Sequence, residues 1–230
     1  ELMYTLLLII FSMIVSLILT PIVIKVSHKL GIVDQPNFRK VHTKPISVLG
    51  GTVILLSFLV GIWLGHPIET EVKPLVIGSV LIYLVGLIDD IYDLKPIMKL
   101  LGQVIAALVV VYYGVTIDFI SLPIGPTIHF GIFGIPITVI WIVAITNAIN
   151  LIDGLDGLAS GVSMIALMTI GFIAILQANI FIIMICSVLI GALLGFLFFN
   201  FHPAKIFLGD SGALLVGFIV GFLSLLGFKN

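Results

Sequence analysis

The sequence predicts an all-α, polytopic bundle of transmembrane helices that forms a single membrane domain over residues 1–230, and three observations predict it. Hydrophobic residues make up 61% of the chain and charged residues only 9%, against about 25% charged in an average soluble domain. So little polar surface cannot cover a water-soluble globule. The apolar runs reach roughly 20 residues, the length that crosses a bilayer core. They recur along the whole chain, so the first is not a lone cleavable signal peptide. The formal net charge of −1 argues against a nucleic-acid partner. The single cysteine, Cys186, lies in an apolar run, so it has no internal disulfide partner and reads as a small packing residue.

Eight spans are expected, at about Leu2–Val26, Val48–Gly65, Lys73–Asp89, Ile97–Gly114, Pro136–Ile152, Leu158–Gln177, Ile180–Asn200 and Gly212–Phe228. Gly and Pro inside them are tolerated in membrane helices. Counting crossings puts Ser27–Ser47, Asp90–Pro96, Asp153–Gly157 and Phe201–Ser211 on one side of the membrane. Lys25, Lys29, Arg39, Lys40, Lys44, Lys95, Lys99 and Lys205 lie on or beside that side, and only Lys73 and Lys229 lie at the other. The excess of Lys and Arg makes the first side cytoplasmic and puts the N-terminus outside. On the outer side, Val115–Ile135 alternates apolar and turn residues, the pattern of a short hairpin. Parity also brings Asp34, Asp89, Asp90, Asp93, Asp153, Asp156 and Asp210 together on the cytoplasmic face.

Four motifs occupy that face. In Asp89-Asp90-Ile91-Tyr92-Asp93, one acid at a helix end is unremarkable, but adjacent carboxylates repel and at least one prefers a cation or a proton. Lys99 follows within a few turns and can direct a cation at a phosphate. The second motif runs Asn147-Ala148-Ile149-Asn150-Leu151-Ile152-Asp153-Gly154-Leu155-Asp156-Gly157. If helical, it puts Asn147, Asn150, Asp153 and Asp156 on one face. Oxygen ligands of this kind suit a hard cation such as Mg²⁺, and four polar groups in step are costly to place idly at a membrane. The bland alternative is a helix end followed by Asx turns. In Phe207-Leu208-Gly209-Asp210-Ser211-Gly212 the last span begins, where a helix N-terminus offers a phosphate site and Asp or Ser equally makes an ordinary cap. His202, just before it, reads as an interface residue. The basic loop Arg39-Lys40-Val41-His42-Thr43-Lys44 either obeys the topology rule and touches anionic lipid or binds phosphate beside the acids. No Cys/His cluster, P-loop or nucleophile elbow is present.

Together, DDIYD, NAINLIDGLDGLA and NFHPAKIFLGDSGA resemble the motifs of the polyprenyl-phosphate N-acetylhexosamine-1-phosphate transferases. The resemblance extends over nearly the whole chain. It is nearer to the bacterial branch that moves N-acetylglucosamine-1-phosphate from UDP-N-acetylglucosamine to undecaprenyl phosphate, initiating teichoic acid, O-antigen or related envelope glycans, than to the phospho-MurNAc-pentapeptide branch. It implies a multi-pass protein of the bacterial plasma membrane, with its site on the cytoplasmic face; membrane enzymes of this size often pair, so a homodimer is one arrangement. It further implies Mg²⁺, with Mn²⁺ as a substitute, on Asp210 and Asn150. Asp89 and Asp90 would be the acidic pair at the reacting phosphates, with Asp89 a base or a positioner of the acceptor. Lys99 and Lys44 would contact phosphate, Phe207 would stack on uracil, and Asp156 would contact the uridine. Asp153, Asn147, His42 and Asp93 complete the candidate set. Members of this branch carry a histidine-rich cytoplasmic loop and final spans beyond the point where this chain ends. With Glu1 in place of an initiating Met, one or both ends are expected to be missing.

The reaction so implied joins two anions. The acceptor phosphate has a second pKa of about 6 and is largely ionised at neutral pH, so charge neutralisation matters more than a general base. Direct attack is the expected route, and a phosphorylated Asp is the alternative. A secondary transporter is the reading from another class, because acids near a membrane also mark ion pathways. Against it, these acids gather at one face, and no inverted repeat is visible.

Overall fold

The apolar runs fold as helices, and polar or turn residues end each one. A computed structural model of the protein describes residues 2–36, 44–121 and 126–227. Among them are eight α-helices: α1 Leu2–Leu30, α2 Gly50–Gly65, α3 Val72–Tyr92, α4 Pro96–Tyr112, α5 Gly134–Ile152, α6 Leu158–Leu176, α7 Ile180–Asn200 and α8 Gly209–Gly227. Pro96 starts α4 at the position where a missing N–H costs nothing. The Asn179 side chain accepts from Ile182 N at 3.1 Å and caps α7. His28 and Lys29 close α1 at its negative dipole end.

Six of the eight are long and apolar enough to cross a membrane, so the chain is a multi-pass membrane protein; α2 and α4 are shorter. At 16 and 17 residues they rise about 24 and 26 Å, short of a core of about 30 Å.

The all-α expectation holds, with two short ribbons beside the helices. The hairpin expected within Val115–Ile135 is present as β3 Phe119–Ser121 paired antiparallel with β4 Thr127–His129. A second ribbon, β1 Val33–Asp34 with β2 Ile46–Ser47, was not expected, since two residues per strand are too few to show a period. It stitches the α1–α2 connection to the start of α8. Phe207 N donates to Ser47 O at 2.8 Å, and Gly50 N and Gly51 N donate to Phe207 O and Leu208 O.

Helix α8 sits at the centre, packed against α3, α5, α2 and α6. It is buried almost throughout, as a helix apolar on every side must be. Helix α1 shows the opposite pattern. Leu6, Ile10, Ile14, Ile18 and Ile22 form an exposed stripe that suits lipid, while Ser12, Ser16, Thr20 and Ser27 are fully buried. That small-residue side packs on α7, where a Cβ on Gly191 or Gly195 would strike the α1 backbone. Close approach through small residues is how helices associate where no water drives them together.

One contact sets the position of the acidic motifs. A Cβ built on Gly86 of α3 would lie 2.6 Å from Ser211 N and 2.7 Å from Asp210 C. Gly86→Ala is therefore expected to push the first turn of α8 off α3, at a cost of roughly 1–3 kcal/mol. A lowered melting temperature of the detergent-solubilised protein, with reduced activity, is the expected result. An unchanged melting temperature would show that the two helices are not in fixed contact.

Candidate active site

The end of α3, the start of α4, the end of α5 and the start of α8 meet at one end of the bundle. Two cavities open there and share Asn150 and Asp210 on their walls, one of about 1180 Å³ and one of about 380 Å³.

Asp89 stands in the last turn of α3 and is buried. Its Oδ1 accepts from Leu94 N at 2.8 Å, which closes the helix end, and Oδ2 pairs with the Lys99 ammonium. The same ammonium donates to Asp210 Oδ1 at 2.9 Å. Asn150 Nδ2 donates to that oxygen at 2.5 Å. Lys99 thus bridges two of the acids while lining the smaller cavity.

Asp90 does something else. Its two oxygens accept from Asp210 N at 2.7 Å and Ser211 N at 3.0 Å, so this carboxylate is the anion at the N-terminus of α8. The place read as a phosphate site is filled from within the chain. Asp89 and Asp90 do not act as one pair facing the same way, because adjacent helical residues point about 100° apart. Gly209 makes room for this cap. It has φ +71, and a Cβ there would meet Val48 O and lie 2.9 Å from Asp90 Oδ2.

The shared face expected over residues 147–156 is divided, because α5 stops at Ile152 and Asp153 follows with φ −78 and ψ 54. Asn147 turns to Gln103 on α4, donating to its Oε1 at 2.5 Å and accepting from its Nε2 at 3.4 Å. Asn150 holds Asp210. Asp153 lines the larger cavity. Its carboxyl is pushed up to about 7, by burial first and then by the negative charges of Asp210 and Asp90. Asp156 belongs to the next turn and accepts at Oδ2 from Ala204 N at 3.0 Å and from His202 Nδ1 at 2.9 Å.

Of the remaining candidates, Lys44 and Phe207 line the larger cavity and Asp93 the smaller. Asp93 ends α3 with a positive φ of 52 and is exposed. His42 lies outside the described residues. Two residues were not foreseen as parts of the site. Gln103, 2% exposed, follows Lys99 by one turn, and a lone amide in an apolar run was its signal. His202 is drawn in by Asp156.

Among the described residues, Asp89, Asp90, Asp153 and Asp210 outnumber Lys99, the cation that stands between them, and such a donor set suits a hard divalent ion. Among the described residues no group of three or more His, Cys, Asp or Glu forms a metal cage. Mg²⁺ needs no such cage, being typically held by one or two carboxylates plus water and substrate phosphates. Asp210 and Asn150 touch across two helices at the junction of the cavities, and both offer oxygen.

The fold and these residues define a helical membrane protein with an acidic, cation-compatible site at one end of its bundle. Residues 73–228 match the model of glycosyl transferase family 4, and the chain belongs to that family. It is 44% identical over 220 residues to a Bacillus subtilis (strain 168) protein named "probable undecaprenyl-phosphate N-acetylglucosaminyl 1-phosphate transferase", covering 95% of this chain and 62% of that one. It is 34% identical over 213 residues to a decaprenyl-phosphate N-acetylglucosaminephosphotransferase of Mycolicibacterium smegmatis, covering 84% and 52%. It is 37% identical over 235 residues to a phospho-N-acetylmuramoyl-pentapeptide-transferase of Wolbachia pipientis wMel, covering 94% and 72%. The chain thus spans roughly half to three fifths of the length of the first two relatives.

Proposed function

We propose that the protein transfers N-acetylglucosamine-1-phosphate from UDP-N-acetylglucosamine to undecaprenyl phosphate, releasing UMP and beginning an envelope glycan. The observation that carries this reading is the pair of cavities joined at Asp210 and Asn150, in a chain similar to transferases of this name. The larger cavity, with Lys44, Phe207 and Asp156, has the size and chemistry for a nucleoside diphosphate sugar. The smaller one, with Asp89 and Lys99, opens beside exposed Leu100 and suits a phosphate on a lipid tail.

An oxygen of the lipid phosphate attacks the phosphorus that carries the sugar, and the bond to UMP breaks. That oxygen is already largely ionised at neutral pH, so Asp89 serves better to orient Lys99 than to remove a proton. Asp210 and Asn150 would hold Mg²⁺, or Mn²⁺ in its place, which would neutralise charge on the diphosphate and on departing UMP. Lys99 supplies the protein's own positive charge between the two phosphates.

The reading includes eight crossings, with α2 and α4 as short ones, a cytoplasmic site, and a homodimer in the bacterial plasma membrane. Two observations support the alternation. The α1–α2, α5–α6 and α7–α8 connections all line the larger cavity, and the α3–α4 connection lines the smaller. Lys44, Lys95, Lys99 and Lys205 lie at that end and Lys73 near the other.

The test is UMP release by the purified full-length protein given UDP-N-acetylglucosamine and undecaprenyl phosphate, with and without Mg²⁺. Release that needs both the lipid and the metal is expected. Release only with UDP-MurNAc-pentapeptide would move the protein to the sister reaction. No release with any UDP-N-acetylhexosamine would overturn the reading.

A further inference from the structure

We propose that His202 hydrogen-bonds the nucleoside in the larger cavity, and that Asp156 is a positioning residue acting through it. This rests on the reading of that cavity as the nucleotide site. Asp156 was expected to meet the uridine directly, but the same oxygen of its carboxylate is engaged by two partners of this chain, Ala204 N at 3.0 Å and His202 Nδ1 at 2.9 Å. In the neutral ring, a carboxylate on Nδ1 holds the single proton there and leaves Nε2 with its lone pair. The His202 side chain is 73% exposed and forms part of the cavity wall, so Nε2 is open to an occupant.

A lone pair requires a donor. The phosphates of a nucleotide sugar offer only acceptors at neutral pH, whereas its base and ribose carry N–H and O–H groups. Nε2 therefore matches the nucleoside and not the diphosphate. The segment that carries the ring is tied at several points. Asn200 Nδ2 donates to Ile206 O at 2.9 Å, Lys205 N to Phe199 O at 2.8 Å, and Phe207 N to Ser47 O at 2.8 Å. The imidazole and the Phe207 ring thus stand on one anchored stretch between α7 and α8, and Asp156 reaches it from the α5–α6 turn.

Two substitutions of the full-length protein separate contact from support. His202→Asn keeps an amide where Nδ1 stands and loses Nε2. His202→Gln reaches the Nε2 position and gives up the tie to Asp156. For His202→Asn, the KM for UDP-N-acetylglucosamine and the Kd for UMP, measured by calorimetry, are each expected to rise roughly tenfold. Its kcat and its KM for the lipid stay within about twofold, and His202→Gln is the milder variant. Asp156→Ala raises the same KM in the parent and adds little in His202→Asn, the coupling of residues that act as one unit. Parent-like UMP binding by His202→Asn, with His202→Gln impaired, would overturn the proposal and leave the pair as a structural tie. A raised KM with unchanged UMP binding would move the contact to the sugar and also overturn it. A parent that binds UMP but releases none from the UDP-sugar would sink the reaction reading alone, because the binding arm still decides the role of His202.

Discussion

Asp210→Asn is expected to lower UMP release at least about a thousandfold, equivalent to roughly 4 kcal/mol of transition-state stabilisation, and to leave the protein folded. Asp210 lies where the two cavities meet and is held by Lys99 and Asn150. Removing its charge takes away the proposed cation's carboxylate and one of the two anions that fix the Lys99 ammonium. Folding is spared for three reasons. The amide has the same shape, the side chain is 34% exposed, and the α8 backbone is capped by Asp90, not by Asp210 itself. Lys99 still has Asp89. The checks are UMP release at saturating donor and lipid, and a thermal melt in the same detergent. Turnover within tenfold of the parent, in a variant with an unchanged melt, would remove Asp210 from the reacting centre.

Much of this arrangement was legible in the sequence because two signals agreed. Hydrophobic run length placed the helices. Lys99, Lys205 and the acidic motifs then shared a side by parity alone, and the structure brings those motifs to one end of the bundle. What stayed out of reach was the direction of each carboxylate. Asp89 and Asp90 look like one motif in a string, yet a helix rotates about 100° per residue, which sends one to Lys99 and the other to the first turn of α8. The end of α5 at Ile152 was equally hidden. Asn147, Asn150, Asp153 and Asp156 have helical spacing, and only the backbone at Asp153 shows that the spacing is abandoned there. His202 was unreadable alone, since its place depends on Asp156, 46 residues away in the chain.

The Asp89–Asp90 divergence yields the second large expected effect. Asp90→Ala strips two backbone N–H groups at the start of the central helix of their acceptor. Charge-assisted bonds of this kind are worth roughly 1.5–3 kcal/mol, so the melting temperature should fall by several degrees. Activity should fall with it, because the first turn of α8 carries Asp210. Asp90→Asn should lie between Ala and the parent, because one amide oxygen can still accept while the amide N–H₂ meets the second donor. Asp89→Asn should behave in the opposite way. Its oxygen still accepts from Leu94 N, so the melt stays near that of the parent. The ion pair with Lys99 is gone, so turnover should drop about a hundredfold or more, the scale of losing one preorganised electrostatic contact. Measuring melt and turnover for all three variants separates a carboxylate that builds the site from one that works in it. If Asp90→Ala melts like the parent yet is inactive, its carboxylate faces the reacting phosphates after all, and the cap is a bond the enzyme gives up when substrate arrives.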